Sequence, residues 1–104
     1  MIYMANTKVE FIVKAPVDLD LYIVGSVTAL GEWNADKGVK LTYCTECGKY
    51  TASKMLPAGE NVEFKVVADK NWNAAEKGMY GEDLPNHAFV AAKGTKVEVE
   101  VVKF

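Results

Sequence analysis

The chain has 104 residues, half of them apolar and a quarter charged, with a formal net charge of -2. That is one domain's worth of chain, large enough to bury a core without metal or disulfide staples. The weak charge gives no electrostatic basis for nucleic acid or an anionic membrane as partner, and no apolar run reaches the roughly 20 residues that would span a bilayer.

The opening residues Met1 to Asn6 lack the basic flank and long apolar stretch of a signal peptide, and a module cut from a longer protein would begin in the same way. Strand-period alternation then starts: Val9, Phe11 and Val13 alternate with Lys8, Glu10 and Ile12. After the Ala15-Pro16 break, Leu19 to Val24 is an apolar run suited to a central strand covered on both sides, and Gly25 ends it. Leu30-Gly31-Glu32-Trp33-Asn34 reads as a loop. Leu41 and Tyr43 form a short segment before Cys44-Thr45-Glu46-Cys47, and Tyr50 to Leu56 forms another. Leu56-Pro57-Ala58-Gly59 is a turn, because Pro fixes φ and Gly tolerates positive φ. Val62, Phe64 and Val66 alternate with Glu63, Lys65 and Val67. Asp69 to Leu84, rich in Asn, Gly, Lys and Glu, reads as one long loop. Val97, Val99 and Val101 close the chain opposite Glu98 and Glu100. No helical stripe, internal repeat or linker interrupts this. The expectation is a single all-β domain over residues 1–104, an immunoglobulin-like antiparallel β-sandwich.

Chemistry for catalysis is sparse. There is one histidine, His87, no Gly-x-Ser-x-Gly elbow and no phosphate-cradling glycine loop. Carboxylates such as Glu82 and Asp83 are present, but a glycosidase pair needs a cleft as well as a core. The Cys-x-x-Cys pair is half of a zinc site, a redox dithiol, or a turn carrying a disulfide or two idle thiols. Zinc lacks two further ligands and a redox dithiol lacks its helix, so the turn is the simplest account. No enzyme activity, metal or cofactor is expected.

Two aromatics stand in places unlike a core. Trp33 and Trp72 each lie in a loop, flanked by asparagine and charged residues. One of them could cap the end of a sandwich. Taken together, two loop tryptophans suit a flat apolar surface kept for a partner. Pyranose CH groups fit such a face while their hydroxyls bond to neighbouring polar side chains.

The run Leu21-Tyr22-Ile23-Val24-Gly25-Ser26-Val27-Thr28-Ala29-Leu30-Gly31-Glu32-Trp33 resembles the opening of the family-20 carbohydrate-binding modules, the starch-binding domains. Leu56-Pro57-Ala58-Gly59-Glu60-Asn61-Val62-Glu63-Phe64-Lys65 resembles that family's Leu-Pro-Ala-Gly turn and aromatic-Lys strand. Trp72 falls at its second tryptophan and Pro85-Asn86 at its Pro-Asn pair. The resemblance runs from about Leu19 to the C-terminus.

The resemblance implies a site in which glucose stacks on Trp33 and Trp72 and its hydroxyls bond to Lys65 and Asn86. Asn73 stands where the family often has glutamate, and still offers hydrogen bonds. The segment from Ala74 to Leu84 is longer than is usual and carries Tyr80, either a third stacking surface or a loop anchor. At the family's second site Tyr50 takes the place of a tryptophan. The tyrosine expected before Leu21 is missing, since Val17 and Asp18 stand there, and Tyr43 is a substitute. The implied function is non-catalytic binding of α-1,4-glucans such as starch, maltooligosaccharides or glycogen. It would serve an attached enzyme or complex in a larger multidomain protein, extracellular or at the cell surface. The rival reading is a protein-interaction module of the same fold.

Overall fold

Period-two alternation sets the inner face of β1 (Asn6–Lys14): Val9, Phe11 and Val13 are fully buried, while Lys8 and Lys14 face solvent. The structure, a computed structural model, describes residues 6–15, 19–102 and 104, with the side chain of Asn73 outside that description. The features noted at Met1 to Ala5, and the place of Pro16, Val17 and Asp18, therefore lie outside the described residues.

Seven further strands follow: β2 (Leu21–Gly25), β3 (Val39–Lys40), β4 (Thr42–Cys44), β5 (Lys49–Pro57), β6 (Asn61–Ala68), β7 (His87–Val90) and β8 (Lys96–Glu100). They form two four-stranded sheets, ordered β4-β5-β1-β8 and β3-β2-β6-β7. All pairings are antiparallel except β1 with β8, which runs parallel after the chain crosses from the other sheet.

Three phenylalanines join the sheets. Phe11 of β1 meets Phe64 of β6 edge-on at 5.3 Å and Phe89 of β7 at 5.8 Å, the T-shaped geometry that ring quadrupoles favour. Leu21, Ile23, Leu30, Leu56, Val62 and Val66 fill the space around them. Every residue of β2 is buried, as its unbroken apolar run suggests. One face meets the main core. Tyr22 and Val24 on the other pack with Ala35, Val67 and Ala75, so the loops around both tryptophans cover this strand's outer face.

The β4–β5 hairpin is closed by a Cys44–Cys47 disulfide, with Gly48 at φ +69° completing the turn. Of the readings that the Cys-x-x-Cys pair leaves open, this is the turn with a disulfide.

Candidate functional site

Both tryptophan loops are built on unusual backbone. At Gly25 a Cβ would lie 2.6 Å from the Glu63 carbonyl oxygen and 2.7 Å from Leu30 Cδ1, so only glycine allows the loop to turn away there. Buried Leu30 anchors the loop, and the Trp33 amide donates to the Gly25 carbonyl at 2.9 Å. Gly31, Glu32 and Trp33 then take φ of 89°, 49° and 66°, left-handed conformations that cost glutamate and tryptophan energy. Thr28 Oγ1 donates to Glu32 Oε1 at 2.6 Å and steadies that turn. In the second loop Asp69 and Lys70 are also left-handed, at 52° and 57°, just before the 3-10 turn Trp72–Ala74. Such strain persists only where surrounding structure imposes it, and it gathers at ligand clamps.

The two loops bring the tryptophans together. Their ring centroids are 6.2 Å apart with planes tilted by 42°, and Trp72 Nε1–H donates to the Trp33 carbonyl oxygen at 3.1 Å. Trp72 is 40% exposed and Trp33 half-buried. The result is a bent aromatic ledge, not two separate platforms.

Lys65, half-buried on β6, pairs with Val24 of the strand that leads into the Trp33 loop. Phe64 pairs with His87, so the antiparallel register carries exposed Asn86 towards Lys65. Asn73 lies in the same 3-10 turn as Trp72. Tyr80 is 89% exposed, at the tip of the following loop.

Tyr50 needs a correction. It is 5% exposed and belongs to the main core, so it leaves no open ring face for a sugar. The exposed ring is that of Tyr43, which rests edge-on against Tyr50 at 5.0 Å. A period-two count carried the signal, because Tyr50 shares its side of β5 with buried Leu56. This pair borders an open groove with Leu19, Asp20, Lys40 and Asp69.

Other site-building residues escaped sequence reasoning. Glu76 is 1% exposed, and its Oε1 accepts from the Val66 amide at 3.1 Å. His87 Nε2 stands 2.7 Å from the same oxygen, though without a well-aligned hydrogen bond. Lys77 Nζ donates to Asp83 Oδ1 at 2.6 Å. That bond and the ammonium charge hold the Asp83 carboxyl below its ordinary range, with Lys65 adding to the effect and slight desolvation opposing it. No sequence pattern marks a glutamate in a polar stretch as buried.

Among known proteins, the family profile CBM_20, described as starch binding domain, matches residues 6–101. The cyclomaltodextrin glucanotransferase of Bacillus sp. (strain 1-1) is 40% identical over 60 residues, 52% of this chain and 8% of that enzyme. In solved structures, the family 20 CBM of the maltotetraose-forming amylase from Pseudomonas saccharophila STB07 superposes with a TM-score of 0.72 at 26% identity. The match covers 90% of this chain and 99% of that one. Hormoconis resinae glucoamylase shares the fold, with a TM-score of 0.74 at 20% identity over 95% of this chain and 18% of the enzyme. The chain thus spans less than a tenth of the curated glucanotransferase and less than a fifth of the glucoamylase.

Proposed function

The chain belongs to the CBM_20 family of starch binding domains and is a carbohydrate-binding module for α-glucans; from that premise we propose which of its side chains hold the sugar. Trp33 and Trp72 stack on two successive glucose rings. Lys65, Asn86 and Asn73 take hydrogen bonds from or to the hydroxyls. Tyr80 supplies a further aromatic face, and Tyr43, backed by Tyr50, offers a weaker contact on the other sheet. The whole of residues 1–104 acts as one non-catalytic module, holding a larger, secreted starch-processing protein against its polysaccharide.

One observation carries this assignment: the 42° tilt between two indoles only 6.2 Å apart. An α-1,4-linked chain curves, so successive rings can each lie flat on one face of a bent ledge. A flat β-1,4 chain would meet only one face. Little of the ligand is buried and each captured hydroxyl first gives up water. Affinity for a short maltooligosaccharide should therefore be modest, roughly micromolar to millimolar, or about -8 to -4 kcal/mol. Calorimetry with maltoheptaose beside cellohexaose tests it. Binding of the first and not the second is expected. Equal affinity, or no binding of maltoheptaose, would sink the assignment and favour the tryptophans as a protein-docking surface.

A further inference from the structure

The residues after Trp72 build an arm whose apolar tip, Met79 and Tyr80, stands in water. Its root is strapped to the outer edge of β6. Glu76 N–H donates to the Val66 carbonyl at 2.9 Å, its buried carboxylate accepts from the Val66 amide, and Ala75 bridges to Val67. This root therefore adjoins Lys65 in the strand, at the place proposed for hydroxyl contacts. Beyond it the chain doubles back in a small hairpin. Lys77 bridges to Asp83, Gly78 N–H donates to the Glu82 carbonyl at 2.9 Å, and Gly81 N–H donates to that of Gly78 at 2.9 Å. The Tyr80 amide donates to Glu82 Oε1 at 3.0 Å, and the Lys77–Asp83 pair ties the two limbs. A Cβ at Gly78 would fall 2.3 Å from the Glu82 carboxylate, so glycine lets that side chain fold under the tip.

All this bracing presents Met79, 70% exposed, and Tyr80, 89% exposed, to water. Core burial cannot be the reason for ordering them. A backbone already braced beneath an exposed aromatic lowers the entropy lost when a partner binds. The same segment carries Trp72 at its start, and the charge of Lys65 reaches Asp83 at its end.

We propose that this arm is a chain-length reader: Tyr80 meets a glucose beyond the two on the tryptophan ledge, so the module favours longer α-glucans over the disaccharide, which has no glucose left for Tyr80. The proposal rests on the ledge being the glucan site. The brace is electrostatic in part, because Lys77 holds Asp83 ionised below the usual carboxylate range. Its contribution is present at neutral pH and is lost as acid protonates Asp83, so length preference fades on acidification while stacking on the ledge persists.

The test is calorimetry of the unaltered chain, Tyr80→Ala and Asp83→Asn against maltose and maltoheptaose. Tyr80→Ala should weaken maltoheptaose binding about three- to tenfold, the scale of one aromatic contact, and leave maltose within about twofold. Asp83→Asn should move the same way by a smaller factor. Thermal melts should match, since both residues are exposed. Equal losses on both sugars, or no loss on either, would overturn the arm's role while leaving the ledge standing. Failure of the unaltered chain to bind maltoheptaose would overturn both readings.

Discussion

Two aromatic pairs sit on opposite sheets, and they use their rings differently. Trp33 and Trp72 come from loops beside β2 and β6 that contain left-handed residues, and share a hydrogen bond through an indole N–H. Tyr43 and Tyr50 come from adjacent strands β4 and β5, directly opposite in register. In that pair one ring is committed to the core and only the other meets solvent. A loop can present two faces at an angle because its backbone need not obey the pleat. A strand pair holds its rings on one side of the sheet by register, and here only the ring on the edge strand β4 keeps a face in water. Binding strength should then concentrate at the tryptophans, and folding strength at Tyr50.

The sharpest way to break that contrast is to truncate one ring from each pair. Tyr50→Ala should destabilise folding by about 3–5 kcal/mol, as for other large buried aromatics. Per folded molecule, maltoheptaose affinity should fall only slightly, because the Tyr43 contact that Tyr50 backs is the weaker one. Trp33→Ala should do the reverse, weakening maltoheptaose binding by about 1–3 kcal/mol with a smaller change in melting temperature. Urea titration and calorimetry on both variants decide the matter. If Trp33→Ala unfolds the chain while binding per folded molecule is kept, that tryptophan is a cap on the sandwich and not a platform.

The contrast also explains what the sequence made legible. Alternation in Val9, Phe11 and Val13, and the unbroken run of β2, follow directly from which faces are covered. Trp33 and Trp72 were legible because polar flanks are a poor setting for a core residue. β7 was not, since His87-Ala88-Phe89-Val90 is short and only half-buried, and follows a polar stretch. Glu76 was invisible for another reason. Its burial is set by the Val66 amide ten residues earlier, a satisfied hydrogen bond that no local pattern encodes. Tyr80 was legible as a residue but not as a braced one, because the brace runs through the Lys77, Gly78 and Glu82 contacts.

The disulfide separates the two regions further. Cys44 and Cys47 are three residues apart, and a loop that small restrains the unfolded chain by about 2 kcal/mol at most. Reduction, or Cys44→Ser with Cys47→Ser, should lower stability by up to that amount. Maltoheptaose affinity at the ledge should be unchanged, since the hairpin belongs to the other sheet. A large loss of affinity on reduction, seen by calorimetry with and without reductant, would show that the Tyr43 side carries more of the glucan than the tryptophans do.

The smallest effect is the most informative about the ledge itself. Trp72 does two things: it offers a ring face, and its Nε1–H holds the Trp33 carbonyl at 3.1 Å. Trp72→Phe keeps an aromatic face and deletes the donor. The lost bond is neutral and partly solvated, so its net worth is about 0.5–1.5 kcal/mol. If it only stabilised the fold, melting temperature would fall and affinity per folded molecule would drop only by what a smaller ring loses. If it sets the angle between the rings, affinity for maltoheptaose should fall further than for glucose, whose single ring can occupy only one face. A cycle with Trp33→Ala distinguishes these. Once Trp33 has no ring to orient, Trp72→Phe should cost less than it does in the unaltered chain. A full additive loss in the double variant would mean that the two tryptophans bind independently, and that the indole bond is structural alone.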